Sequence, residues 1–232
     1  MKIGKIIDLS QEIYTGMPLY PGHLKTIIFT HLSHEECRRQ LGTGFSYTTQ
    51  GLIMCGHGPT HIDSWSHFTT DPKAEHIDQL SLGKCITQAI CLDVSDTPLR
   101  TQWDAKKIKE QLAKWNLTIE PGDTVLFYTG MFDRYYGKDE YMTEFPGMTR
   151  DATEFIIDNG CVNFGVDNPS PDMWYDKTYP CHKTCGERGV THIENLCNLD
   201  KVVGKRFIFI GLPLRIREGT GSPIRAVAIL NE

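Results

Sequence analysis

Four residues able to hold a metal ion, His57, His61, Asp63 and His67, fall within the short stretch Met54-Cys-Gly-His-Gly-Pro-Thr-His-Ile-Asp-Ser-Trp-Ser-His-Phe68. No other stretch limits the fold so tightly. Separated by four, two and four residues, these groups would all face one side of an extended strand. Ten residues of extended chain span roughly 33 Å, whereas the ligand atoms of one ion lie about 2 Å from it. Shared coordination therefore requires the segment to fold back on itself, and Gly58 and Pro59 supply the turn. A helix would stack His57 over His61, but Pro59 between them opposes it. The spacing predicts a bent loop or strand end. A lone histidine beside an apolar strand is more often a packed side chain than a ligand, yet four ligand types this close together favour a metal. Imidazole with carboxylate suits zinc, manganese or iron(II).

The 232 residues suffice for one domain with a sizeable core. With 23% charged and 40% hydrophobic residues the chain is neither disordered nor fibrous. A net charge of -5 without any basic run argues against nucleic acid and anionic membrane as partners. No apolar stretch reaches the length of a membrane span, and the N-terminus lacks the apolar core of a signal peptide, so a cytoplasmic protein is expected. The eight cysteines are scattered and expected to be free thiols. Cys181-x-x-x-Cys185, with His182 inside it, lacks the second pair a zinc knuckle needs. Cys55 lacks the surroundings of a nucleophile elbow.

Along the chain, Ile3 to Leu9, Thr26 to Leu32, Phe45 to Met54, Ile86 to Val94 and Asn163 to Val166 read as strands. Thr101-x-x-Asp104 reads as the capping box of a helix through Trp115, and Asp151-x-x-Glu154 caps another that ends before Gly160. Polar His34 to Gly44 is expected as an exposed excursion, and tyrosine-rich Asp133 to Phe145 as an irregular lid or subunit contact. Strand–helix alternation in the second half predicts a mixed α/β domain.

The run His57-x-x-Thr60-His61-x-Asp63-x-x-x-His67 resembles the signature of the cyclase family of metal-dependent hydrolases, His-x-Gly-Thr-His-x-Asp-x-Pro-x-His. That family contains kynurenine formamidase, isatin hydrolase and a lactone hydrolase. Pro59 stands where the family has Gly, and Trp65 where it has Pro; neither is a ligand position. Other elements of the family recur in order. They are Met17-Pro18 with Pro21-Gly22, Gly122-Asp123 with Thr129-Gly130, Asp167-x-x-Ser170-x-Asp172, Glu194-Asn-Leu-Cys-Asn-Leu199 and Ser222-Pro-x-Arg225. His182 and Glu194 keep the family's twelve-residue spacing. On one straight helix they would stand about 18 Å apart, so a break is expected at Gly186 and Gly189. His192 would point with Glu194 on a strand.

The resemblance implies an α/β fold, one domain over 1–232, with a β-rich core of the swivelling β/β/α kind and flanking helices. It implies His57, His61 and Asp63 as ligands of a divalent ion, Zn2+ or Mn2+, with Asp63 able to bridge to a second ion at His182 and Glu194. With one ion, Glu194 is free as a general base; His67 is the expected acid/base group. Trp65, Tyr20, Phe68 and His192 are expected around the substrate, Trp65 either facing it or filling space behind the loop. The implied activity is hydrolysis of a formyl amide, cyclic amide or lactone of a small ring-bearing metabolite by a homodimer or homotetramer. The alternatives are a non-catalytic metal or small-molecule binding protein on the same fold, and an oxygenase using two histidines and a carboxylate.

Overall fold

Nine strands gather into one mixed sheet because the apolar runs found in the sequence are too long to bury singly. The computed structural model describes residues 4–230; Ile3, at the start of the first expected strand, lies outside them. The first half of the chain gives β1 (Lys5–Asp8), β2 (Ile27–Leu32), α1 (His34–Leu41), β3 (Thr49–Ile53), β4 (His61–Asp63) and β5 (Ile86–Asp93). Then come β6 (Gln102–Trp103), α2 (Ala105–Trp115), β7 (Thr124–Tyr128), α3 (Met131–Tyr135), α4 (Asp139–Thr143), β8 (Gly147–Met148), α5 (Arg150–Asp158) and β9 (Asn163–Val166). The chain closes with α6 (Pro180–Arg188), β10 (Thr191–Glu194), β11 (Arg206–Ile210), β12 (Gly221–Pro223) and β13 (Val227–Leu230).

The sheet runs β1-β13-β11-β5-β7-β9-β10-β4-β12. Its centre, β5-β7-β9-β10, is parallel, and antiparallel strands extend it on both sides. Central strands are buried on both faces, as parallel strands require. On one face Ile90, Leu92, Val125, Phe127 and Phe164 pack beneath α2, α5 and α6, through Ile108, Ile156, Cys181 and Cys185. On the other, Ile62, Ala89, Leu126, Ile193, Phe207 and Phe209 form a second core. The result is a single α/β domain, as expected, with β4 near one end of the sheet. Strands β2 and β3 pair only with each other, and Ile27, Phe29, Leu52 and Ile53 on this ribbon stay exposed.

Several local expectations need correction. Residues 34–41 form a helix: Ser33 caps Glu36 N at 3.2 Å while Glu36 Oε2 accepts from Ser33 N at 2.9 Å, and Gly42 ends it at φ +61°. This reciprocal box makes the expected excursion a helix, and apart from Cys37 its residues are exposed as expected. The strand expected over 45–54 shrinks to Thr49–Ile53. The segment 133–145 is not irregular, because it holds α3's last residues and all of α4 and buries Tyr141 and Phe145 with Met131 in a cluster of its own. Helix α2 is capped by Asp104, whose Oδ1 accepts from Lys107 N at 2.9 Å, while Thr101 bonds back to the Pro98 carbonyl. Helix α5 is capped by Thr149 instead of Asp151, whose carboxylate reaches Ala105 N at 3.1 Å and ties α5 to α2. Asp104→Ala is accordingly expected to lower stability by about 1 kcal/mol, the usual value of an N-cap. Urea unfolding of the two proteins measures it; an unchanged midpoint would refute the assignment.

Candidate metal centre

Strand β4 sits between β10 and β12, with Asp63 opposite His192 and Gly221, and His61 opposite Glu194 and Pro223. Side chains alternate along a strand. Ile62 and Ile193 therefore enter the core, while His61, Asp63, His192 and Glu194 share the other face. A turn at Gly56-His57 precedes β4, and a single helical turn over Trp65–His67 follows it. Together they fold the segment back as its spacing demanded, bringing the His57 and His67 rings to 4.1 Å between centroids. Gly221 makes this possible: a Cβ there would stand 2.5 Å from His57 Cε1 and 3.0 Å from Asp63 Oδ1.

His182 arrives from the first turn of α6. The cap residue of that helix, Tyr179, makes no side-chain cap bond, and Asp172 takes its place. Its carboxylate accepts from Cys181 N at 2.7 Å, His182 N at 3.0 Å and His182 Nδ1 at 2.6 Å. The chain breaks between His182 and Glu194 at Gly189 (φ +65°), as expected, but not at Gly186. Gly186 stays helical and instead admits Phe68, whose carbonyl would lie 2.8 Å from a Cβ at that position.

The five expected ligands lie near one another, although His61 falls in neither of two mutually close groups of ligand atoms. Asp63 Oδ1 lies 2.7 Å from His57 Nδ1 and 3.3 Å from His61 Nε2; Glu194 lies 3.4 Å from His61 Nε2 and 3.8 Å from His182 Nε2. Two groups of ligand atoms, each mutually within 4.8 Å, share Asp63: His57, Asp63 and His67, and Asp63, His182, His192 and Glu194. His67 and His192 thus stand within ligand reach beside the roles expected of them.

The donor set fits a cation. His61 Nδ1 donates to the Pro59 carbonyl at 2.9 Å, so a neutral ring carries its lone pair on Nε2. That atom is buried, has no hydrogen-bond partner, and faces the Asp63 and Glu194 carboxylates. Lone pair against carboxylates is repulsive unless a proton or a metal lies between. Asp172 fixes the His182 tautomer in the same way, leaving Nε2 toward Glu194. Burial alone would keep His61 neutral, but Asp63 and Glu194 overcome it and raise its pKa to about 10. Glu194, despite burial, is lowered to about 2 by His192 and His61, and Asp63 is held well below the usual carboxylate range by His61 and His57.

Above these groups opens a cleft of about 180 Å³, lined by Tyr20, His23, Asp63, His67, Pro169, Ser170, Tyr179, His182 and Glu194. A larger groove of about 500 Å³ lies beside Gln11, Leu52 and Ile224, but among the described residues no cluster of ligand groups opens into it. Tyr20 meets the cleft as expected; burial and the neighbouring Tyr179 push its phenol up to about 12. Trp65 does not line the cleft. Its indole donates to the Gly186 carbonyl at 2.6 Å and lies along α6. Phe68 stacks on His192 with centroids 4.8 Å apart, and neither lines the cleft. Sequence reasoning missed His23 and Tyr179 as cleft residues, and Asp172 as the group that orients His182. Tyr179 has one local signal, a positive φ (+48°) in a bulky residue before a proline.

A metal that replaces the His61 proton must release it. The folded pKa is raised from 6.5 to about 10. In the metal-free protein this group therefore adds stability that is full below about pH 6.5 and lost as pH climbs through 10. Adding Zn2+ at pH 8 in weak buffer is expected to liberate about one His61 proton per chain. Chelated protein is expected to lose stability between pH 7 and 10 more steeply than loaded protein. A pH-stat trace showing no acid release on loading would contradict this.

The chain matches the family model described as putative cyclase over residues 7–173. It is 30% identical to kynurenine formamidase of Bacillus mycoides (strain KBAB4) over 228 residues, 98% of each chain. The corresponding protein of Bacillus anthracis is 29% identical, again over 98% of each chain. Among solved structures, an isatin hydrolase bound to the product analogue thioisatinate aligns with a TM-score of 0.87 at 23% identity, over 98% of this chain and 93% of that one. Isatin hydrolase A from Labrenzia aggregata, bound to benzyl benzoate, gives 0.86 at 22% identity, with 98% and 94% covered. At such identities the structural likeness speaks for the fold alone. The family model spans most of the chain and the sequence relatives nearly all of it: the chain belongs to the cyclase family of metal-dependent hydrolases.

Proposed function

We propose that this protein hydrolyses the C–N bond of a formyl amide or cyclic amide, or the ester bond of a lactone, in a small ring-bearing metabolite. The observation that carries this reading is the pair of ligand groups sharing Asp63 directly beneath a small cleft edged by His67, Tyr20 and Tyr179. The name of the Bacillus relatives, kynurenine formamidase, supports an amide.

His57, His61 and Asp63 would hold one divalent ion, and His182 with Glu194 a second. Imidazole and carboxylate together suit Zn2+ or Mn2+. When bound, such an ion supplies Lewis acidity toward a carbonyl and a lowered pKa for water. His67 provides the proton path. Burial, with His57 and His182 beside it and only Asp63 and Glu194 opposing, lowers its pKa to about 4, so it is neutral at pH 7 and able to accept a proton. Its ring is 37% exposed toward the cleft, within reach of a water there. His67 takes the proton of the attacking water and returns it to the leaving nitrogen or oxygen as the acyl bond breaks. In a site with one ion Glu194 is free to share the base role. Tyr20 and Tyr179 offer aromatic faces for the ring of the substrate; Trp65, bonded to α6, braces the loop behind them.

A homodimer or homotetramer is in keeping with the exposed apolar β2–β3 ribbon. No helix among the described residues is long and apolar enough to cross a membrane. Eight unpaired cysteines suit a cytoplasmic setting.

His61→Ala is expected to cost metal, whereas His67→Ala keeps most of it and loses about two powers of ten in rate on aryl formamides. Elemental analysis beside initial rates separates the two. Equal metal loss in both variants would make His67 a ligand and remove it from the proton path.

A further inference from the structure

The tyrosine-rich segment contributes one atom to the interior behind the metal centre. Tyr141 on α4 is fully buried, and its hydroxyl accepts from Gln11 Nε2 at 2.7 Å and donates to Asn195 Oδ1 at 2.9 Å, with the Asp167 carbonyl at 3.3 Å. Gln11 N donates to Thr60 Oγ1 at 2.9 Å, and Thr60 Oγ1 donates to the Asn195 carbonyl at 2.6 Å. The bonds therefore close a ring: Tyr141 hydroxyl, Gln11 side chain, Gln11 backbone, Thr60 hydroxyl, Asn195 backbone, Asn195 side chain, Tyr141 hydroxyl.

Two members of that ring adjoin ligands. Thr60 precedes His61, and Asn195 follows Glu194, the pair that face each other across β4 and β10. At Asn195 the backbone leaves the strand with φ +58°, a turn an asparagine accepts and its held side chain fixes. Thr60, Asn195 and Gln11 are each at most 6% exposed, so a lost bond leaves a buried polar group poorly satisfied, although Gln11 and Thr60 border the larger groove.

We infer that Tyr141 is a positioning residue for the metal centre, its hydroxyl closing the hydrogen-bonded ring that sets Glu194 against His61. The inference rests on the metal-centre reading above. Tyr141 touches neither ligand, and acts by fixing the two residues next to them. Groups hydrogen-bonded directly to a ligand commonly alter metal affinity about 10–100-fold; Tyr141 acts one residue further out, so an effect at the low end of that range is expected. The tyrosine cluster formed with Met131 and Phe145 thereby has a purpose beyond packing: it holds the phenol still.

Tyr141→Phe removes one oxygen and keeps the ring. The test measures Zn2+ affinity of wild type and variant by competition with a chromophoric chelator, with circular dichroism confirming that each metal-free protein is folded. The expected result is a Zn2+ dissociation constant raised about tenfold or more. A folded variant with affinity within twofold of wild type, even at a lower melting temperature, overturns the inference and leaves the phenol purely structural. If Tyr141→Phe does not fold, the pair Thr60→Ser and Thr60→Val decides. Serine keeps the ring and is expected to retain wild-type affinity, while valine weakens it about tenfold; equal affinities in the two overturn the inference. Wild-type protein that takes up no Zn2+ would instead bring down the metal centre itself, and the inference with it.

Discussion

Two carboxylates, Asp63 and Glu194, are buried within reach of the same imidazole nitrogen, and the rest of the structure answers to that fact. Like charges out of water are costly unless cations or donors compensate. Around this pair the protein gathers His57, His61, His182 and His192, and it withholds other donors from His61 Nε2. The sheet serves the same end. Placing β4 between β10 and β12 lets two ligands from one end of the chain meet another from far downstream without any loop having to hold them. Strand hydrogen bonds then set the ligand spacing, which is stiffer than side-chain contacts alone could make it.

Three of these histidines are steered by a group whose own position is fixed. Pro59 offers a backbone carbonyl to His61, Asp172 a carboxylate to His182, and Thr220 a hydroxyl to His57 Nε2 at 2.9 Å. Asp172 does double duty, since the same carboxylate terminates the amides of α6. Helix and ligand are therefore not separable: a change that frays the first turn of α6 also releases His182.

The residues that converge at the candidate centre were legible in the sequence because their signal is local. His61 and Asp63, like His192 and Glu194, are two apart with isoleucine between, which is the pattern of a strand with one wet and one dry face. The bend between His57 and His67 followed from reach alone. The apolar run of residues 86–94 likewise announced β5, and the strand read over residues 163–166 is β9. What stayed hidden depends on distant partners. Nothing near Asp172 says that it will cap a helix eight residues later, and nothing near His23 says that it will face His57 at 6.1 Å. Trp65 shows the limit from the other side. The sequence left Trp65 open between a substrate contact and a place behind the loop; the bare backbone at Gly186 and Gly189 draws it to the second, giving its indole both a surface and a carbonyl. Helix α1 was read only as an exposed excursion: its capping box was local, but its side chains were too polar to mark an amphipathic helix.

The placement of β4 also dictates when the centre can exist. Roughly 160 residues separate Asp63 from Gly221 on the neighbouring strand, and His57 has its close fit only against that glycine. At a synthesis rate of about 5–20 residues per second, the first ligands wait on the order of ten seconds or more before their last neighbour leaves the ribosome. Until then they are three histidines and an aspartate on a short unsupported segment, with no fixed geometry to offer a passing ion. Strand β12 is in this sense a clock, tying the birth of the centre to the synthesis of a strand roughly 160 residues downstream of Asp63.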